Sequence, residues 1–231
     1  MTQDEKYNEY LYKMSTQLRR GLSEVQKKAR DLYKIEELED YIDSPDSPIE
    51  HVFAALIPLS VQAGDLHDYA EAVTGRMELN LDEVDVHAML EGVLTIADQM
   101  AEDKAVRLED DIEENLPSLE ADAERLSQAL LHYIHNAVKF TDSGGTVTLR
   151  VRREPQNILF EVSDTGIGIP EEKQELVFES FETILDDKDD PRLGFGIGLK
   201  IVEHVIDLHD GETWFESAED RGSSFFFTIP Y

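Results

Sequence analysis

The sequence predicts an α+β protein in which an N-terminal antiparallel helical hairpin precedes a two-layer α/β sandwich. Three observations carry that expectation. Two long apolar stripes step by threes and fours, a proline-rich break separates them, and after Glu78 helical stretches alternate with strand-like runs. The first stripe runs from Tyr7 through Leu11, Met14, Leu18, Leu22 and Val25 to Ile42, as in a helix packed in a bundle. Asp43-Ser-Pro-Asp-Ser-Pro48 ends it, because two prolines among turn-forming Ser and Asp cannot continue a helix. The second stripe runs from Ile49 to Met77, with Pro58 inside it as an expected kink or loosening. A lone hairpin leaves half of each stripe exposed. Dimerisation into a four-helix bundle is the expected remedy, with packing of the hairpin on the following domain as the alternative. The expected domains are therefore residues 1–77, a dimerisation hairpin, and 78–231.

In the second domain, Val84–Lys104 reads as an amphipathic helix and Val106–Ile112 as a strand. Ala121–Phe140 reads as a helix closed by a turn at Asp142-Ser-Gly-Gly145. Thr146–Arg152 and Ile158–Ser163 alternate as paired strands. A short helix around Glu172–Phe181, a polar loop, and a helix from about Gly196 to Leu208 come next. Glu212–Ser217 and Ser223–Ile229 fit a hairpin turning near Asp220-Arg-Gly222. Grouped helices and largely antiparallel strands suggest the two-layer sandwich.

Composition narrows the function classes. The 231 residues carry 51 acidic and 21 basic side chains, a net charge of −30, with 41% hydrophobic content. That charge opposes binding to nucleic acid or an anionic leaflet. Without cysteine there is no disulfide framework and no thiolate zinc site. No apolar run approaches the roughly 20 residues of a membrane span, and no signal peptide opens the chain, so a cytoplasmic protein is expected. The charge is uneven: residues 1–34 hold 8 basic and 5 acidic side chains, +3, leaving −33 on the rest.

Four motifs in the second domain carry chemistry. In His135-Asn-Ala-Val-Lys-Phe-Thr141, Asn136 offers a neutral oxygen to magnesium, and Lys139 shares its helix face within reach of phosphates. In Asp164-Thr-Gly-Ile-Gly-Ile-Pro170, Asp164 follows a strand and can accept a hydrogen bond from an amino group such as adenine's. Gly166 and Gly168 let backbone approach a flat ring. Phe178-Glu-Ser-Phe181 closes the short helix. In Gly194-Phe-Gly-Ile-Gly-Leu199, Gly194, Gly196 and Gly198 permit a hinge whose N–H groups, at a helix start, can cradle phosphate oxygens. Each motif alone also suits a turn or a surface helix. Four in this order, on these elements, are hard to explain so.

On these residues the chain resembles the catalytic core of a sensor histidine kinase. Its second domain resembles the ATP-binding fold shared with gyrase, mismatch-repair and heat-shock ATPases. The resemblance takes in the hairpin, the passage Asp122–Leu131 leading into the Asn motif, and the closing Glu203–Tyr231 segment. It implies that Asn136 coordinates magnesium, Lys139 contacts phosphate and Asp164 reads adenine beside Gly166 and Gly168. It also implies that Phe178 and Phe181 anchor a mobile lid over about Glu182–Leu193. Gly194, Gly196, Gly198 and Leu199 would lie at the triphosphate. Lys188 and Arg192 could reach the γ-phosphate, but the four carboxylates of Asp186-Asp-Lys-Asp-Asp190 favour the alternative, a solvated loop facing away from the nucleotide. ATP and Mg2+ are the implied ligands. His132 stands where the family usually has a second Asn, and imidazole is a poorer magnesium ligand than a carboxamide oxygen.

The hairpin departs from the family at the phosphoacceptor. The run Met14-Ser-Thr-Gln-Leu-Arg-Arg-Gly-Leu22 puts Thr16 at the acceptor histidine's position and Gln17 at that of the neighbouring acid. Arg20 and Gly21 replace a small hydroxyl residue and a helix-bending proline. Imidazole has a lone pair near neutral pH, whereas a threonine hydroxyl needs a base. Conventional autophosphorylation is therefore not expected, and His51, His67 and His87 read as ordinary surface or packing histidines. The expectation is an ATP-binding signalling switch or docking platform, partnered by receiver domains of response regulators or by another kinase. Two alternatives are an active kinase with a non-standard acceptor and a structural dimer with a vestigial nucleotide site. Lys13, Arg19, Arg20, Lys27 and Lys28 mark the first helix as the partner-facing surface. Signal input is expected from a longer chain or a separate partner.

Overall fold

The structure, a computed structural model, describes residues 3–32, 48–181 and 195–231, and the chain divides into units Met1–Met77 and Glu78–Tyr231. In the first unit, α1 (Gln3–Leu32) and α2 (Pro48–Thr74) pair antiparallel. Contacts at three levels fix their register: Gln26 Nε2 donates to Ser60 Oγ at 2.7 Å, Ser15 lies beside His67, and Glu9 pairs with Arg76. On α2, Leu56, Ala63, Tyr69 and Ala70 are buried, and the small alanines suit close helix packing. Met14, Leu18, Val25, Ile57, Leu59 and Val61 are exposed.

Pro48 opens α2, where its missing N–H has no intrahelical partner to lose. The helix then runs through Pro58 as one element. A proline there removes a single backbone hydrogen bond, and packing against α1 holds the turns on either side. The expected stripe beyond Leu32 and the break at 43–47 lie outside the described residues.

Asp65, on α2, sits one turn before Asp68. Burial, and then the Asp68 charge, push its carboxyl up to about 6. The fold therefore holds the proton more tightly than the unfolded chain does. That contribution is complete below the ordinary carboxylate value near 3.8 and is lost as pH rises through about 6. Between pH 7 and pH 4 the wild type should gain on the order of 2 kcal/mol over Asp65→Asn. Paired thermal melts across that range check this, and parallel pH profiles for the two proteins would refute it.

The second unit opens with β1 (Asp82–Val84), which pairs antiparallel with β3 (Leu119–Ala121). Helix α3 (Val86–Lys104) starts after Asp85, whose side chain accepts from the Ala88 N–H. Helix α4 (Ala123–Phe140) starts after Asp122, which accepts from the Arg125 N–H. The sequence had both helices starting two residues early, at Val84 and Ala121, because three-residue strands are too short to show an alternation. The remaining strands are β2 (Arg107–Ile112), β4 (Thr146–Arg153), β5 (Asn157–Asp164), β6 (Glu212–Ser217) and β7 (Ser223–Pro230). They form one sheet in the order β2-β4-β5-β7-β6, antiparallel except for the parallel β2–β4 pair.

Helices α3, α4 and α5 (Gly198–Leu208) pack on one face of the sheet, which is the two-layer sandwich. Strand alternation supplies that face: Val147, Leu149 and Val151 on β4, Ile158, Phe160 and Val162 on β5, Phe225, Phe227 and Ile229 on β7. Phe160 and Phe227 stack at 4.6 Å, and Tyr133 of α4 meets Phe225 at 5.3 Å. Burial pushes the Tyr133 phenol far above its usual range. His209 ties the helices together: its Nε2 accepts from the Asp122 N–H at 3.0 Å while Nδ1–H donates to Val205 O at 2.7 Å.

Candidate functional site

Helix α4 forms the shared wall of the site. His132, Asn136 and Lys139 recur at steps of four and three, so they line one face of the helix. All three are half-buried. Lys139 Nζ lies 5.0 Å from the Phe140 ring centroid. Among the described residues, no cluster of three His, Cys, Asp or Glu side chains suits a metal.

The Asp164–Gly168 segment closes over the end of α4. Ile167 N–H donates to Phe140 O at 3.3 Å. Asp164 ends β5 and is buried, and its Oδ1 accepts from the N–H groups of Gly166 at 2.8 Å and Ser223 at 3.3 Å. No described residue bonds Oδ2, which leaves that oxygen to accept from a ligand amino group. Burial raises the carboxyl above its usual range, and the two backbone donors pull it partly back.

The glycines serve a purpose the sequence did not suggest. A Cβ on Gly166 would lie 2.4 Å from Phe140 O, and one on Gly168 would lie 1.9 Å from Ala218 O. Their missing side chains let protein strands meet, and the site takes its shape from that closure. Gly222 does likewise: a Cβ there would lie 1.9 Å from Asp164 O. Gly222 and Ser223, which hold Asp164 from the far hairpin, show in the sequence only as that hairpin's turn and the first residue of its second strand.

At the third side, α5 begins at Gly198 with no side chain capping its first N–H groups. Those donors and the helix dipole suit phosphate oxygens. A Cβ on Gly198 would lie 3.1 Å from His132 Nδ1, so His132 stands against the start of α5. Leu199 is half-buried in the first turn, and Gly196 holds a positive φ of 67° just before it. Phe181, also at positive φ, donates its N–H to Gly196 O at 2.9 Å, and Phe178 packs on Phe215 at 5.8 Å. The expected short helix is a 3-10 stretch, Glu171–Leu176, that ends before these phenylalanines. Lys188, Arg192, Gly194 and the rest of the expected lid lie outside the described residues. The structure thus sets the Asp164–Gly168 segment against Phe140 at the end of α4 and Gly198, the start of α5, against His132 two turns earlier, with Asn136 and Lys139 on the helix between.

In the other unit, Thr16 and Gln17 are exposed on α1, as are Arg19, Arg20, Lys27 and Lys28. The Thr16 hydroxyl donates to Tyr12 O at 2.8 Å and lies 3.5 Å from His67 Nδ1. His67 is buried against α1, neither a surface histidine nor remote from the acceptor position. His87 Nε2 lies 3.2 Å from Glu114 O, and the His51 side chain is outside what is described.

Residues 121–231 match the model of the histidine kinase-, DNA gyrase B- and HSP90-like ATPases. The adaptive-response sensory kinase SasA of Microcystis aeruginosa is 33% identical over 167 residues, 72% of this chain and 43% of that protein. SasA of Synechococcus elongatus is 30% identical over 203 residues, 87% of this chain and 49% of that one. The chain therefore spans less than half the length of these curated relatives. Among solved structures, full-length ShkA in complex with AMPPNP aligns with a TM-score of 0.72 at 26% identity, covering 96% of this chain and 45% of that one. The nucleotide-free catalytic domain of histidine kinase ThkA aligns at a TM-score of 0.56 and 27% identity, covering 67% of this chain and 96% of that domain. No described helix is long and apolar enough to cross a membrane. The ATPase-domain match, the SasA relatives and the ShkA structure, which aligns along 96% of the chain, together identify it as a sensor histidine kinase catalytic core.

Proposed function

We propose that the chain binds ATP with magnesium and works as a two-component signalling switch without a histidine phosphoacceptor. The observation that carries this reading is Asp164, a buried carboxylate with Oδ1 held by two backbone N–H groups and Oδ2 left for an adenine amino group. The uncapped start of α5 and Lys139 supply donors and charge for the phosphates, and Asn136 would hold magnesium. Magnesium supplies neutralisation of phosphate charge. With one carboxamide ligand and His132 as neighbour, the protein offers too few oxygens to bind it without the nucleotide. Calorimetry should therefore register ATP binding that magnesium strengthens, and no magnesium binding in the absence of nucleotide. Failure to bind ATP would leave only a structural dimer.

The dimer follows from the exposed apolar residues of both helices, Met14, Leu18 and Val25 on α1 and Ile57 and Val61 on α2, which a second copy would cover as a four-helix bundle. The basic stretch Arg19, Arg20, Lys27 and Lys28 suits a receiver domain, whose pocket is acidic, or a partner kinase. Charge reversal at Arg19 and Arg20 should weaken that docking; unchanged affinity would remove docking from the proposal. With Thr16 in the acceptor position, incubation with γ-labelled ATP should leave no acid-labile phosphohistidine.

A further inference from the structure

Four side chains at the acceptor position form a chain of proton-transfer groups across the hairpin. The Ser15 and Thr16 hydroxyls donate to Tyr12 O at 2.9 Å and 2.8 Å, and their oxygens lie 3.4 Å and 3.5 Å from His67 Nδ1, within one hydroxyl rotation of it. His67 Nε2 lies 3.3 Å from Glu71 Oε1, one turn further along α2. A carboxylate only accepts, so Nε2 carries a proton toward Glu71, and in the neutral ring Nδ1 keeps its lone pair toward the hydroxyls. The ring is held in place as well: it stacks on Tyr12 at 5.6 Å, and the Arg76 guanidinium covers Tyr12 at 4.3 Å. Base and orienting carboxylate are thus both present, supplied by α2 rather than by the residue after the acceptor.

We infer that Thr16 is a phosphoacceptor, with His67 as its general base and Glu71 positioning the imidazole. The choice between the two hydroxyls is made by access. Ser15 is completely buried, whereas Thr16 is exposed beside the same nitrogen. In the step, the Thr16 hydroxyl turns its proton from Tyr12 O to His67 Nδ1, and Oγ1 forms a bond to the γ-phosphorus of a nucleoside triphosphate as that proton passes to the ring. The bond from that phosphorus to the β,γ-bridging oxygen breaks, and the nucleoside diphosphate leaves with the electron pair. The imidazolium formed is paired with Glu71 until it releases its proton to water.

The surroundings suit the product. Lys13, Arg19 and Arg20 stand three residues before, three after and four after Thr16, on the same helical face and exposed. A phosphate at Thr16 would draw the two arginines into charge-assisted hydrogen bonds and lower the +3 of residues 1–34 to about +1. Such an ester, unlike a phosphoramidate on histidine, is acid-stable. It marks the switch for a long period instead of passing its phosphoryl group to a receiver.

This inference rests on the nucleotide reading above, so the test separates the two. The full chain is incubated with γ-labelled ATP and magnesium, phosphosites are mapped by mass spectrometry, and nucleotide binding is measured on the same preparation. The expected result is acid-stable phosphate on Thr16, absent in Thr16→Ala and retained in Thr16→Ser. Because positioned acid–base groups contribute about 10²–10⁴ in rate, His67→Ala should label at least a hundredfold more slowly, with part of the rate restored by added imidazole. Glu71→Gln should slow labelling without changing the nucleotide concentration for half-maximal rate. Nucleotide binding with no phosphate on Thr16, or phosphate on Ser15 or a histidine instead, would overturn the inference alone. Absence of nucleotide binding would overturn it together with the nucleotide reading. A His67→Ala protein that labels at the wild-type rate would remove His67 as the base.

Discussion

Asp164→Asn is expected to lower adenine-nucleotide affinity by about a hundredfold, or roughly 2.7 kcal/mol, with little change in melting temperature. The two backbone donors, from Gly166 and Ser223, both point at Oδ1, so the new amide must turn its oxygen toward them. Its NH2 group then occupies the place of Oδ2, where the carboxylate would accept from the ligand's amino group. Donor faces donor in a buried position, and water cannot relieve the conflict. The raised pKa of Asp164 adds a second signature. The wild type should lose affinity as acidification protonates the carboxyl, whereas the Asn variant has no such group to titrate. Calorimetric titrations across pH check both points. Equal affinities for the two proteins would remove Asp164 as the adenine reader.

Gly222→Ala is expected to damage both stability and binding, although Gly222 touches no ligand in the proposed arrangement. Its φ of 81° disfavours any side chain, and a Cβ would lie 1.9 Å from Asp164 O and 3.1 Å from Thr165 Cα. The backbone at the end of β5 must move, taking Asp164 with it. A cost above about 2 kcal/mol is expected, from conformational strain plus overpacking. Gly144 provides the control: its φ is 86°, but a Cβ there meets nothing within 4 Å. Gly144→Ala should therefore cost only about 1–2 kcal/mol and leave nucleotide affinity unchanged. Urea unfolding and calorimetry on both variants test the contrast, and equal losses would show that closure around Asp164 does not depend on Gly222.

The parts of this molecule legible in its sequence are those written in local periodicity. Steps of three and four announced α1 and α2, and Val147, Leu149 and Val151 announced β4, because burial on one face imposes a period. Asn136 and Asp164 were legible as members of motifs. The parallel pairing of Arg107–Ile112 with Thr146–Val151 was not, since strand partners leave no mark in either strand alone. Ser223 donates to Asp164 from 59 residues away, and His67 meets Thr16 from 51 away. Such meetings depend on register, which hairpin packing and strand pairing decide globally. The residue after Thr16 is Gln17, and the imidazole that meets the Thr16 hydroxyl, His67, comes from the opposite helix.

The strand β2 forms one open edge of the sheet and presents Glu109, Asp110 and Asp111 in a row, all exposed, with Arg107 3.8 Å from Glu109 and Arg152 paired with Asp111 offsetting part of their charge. An edge strand offers unpaired N–H and C=O groups that another copy could use to extend the sheet. Two such edges laid side by side would set carboxylates against carboxylates about 5 Å apart, at a cost near 1 kcal/mol for each close pair even in water. Part of the chain's acidity thus guards against fibre-like growth and belongs to colloidal behaviour, apart from any recognition of partners.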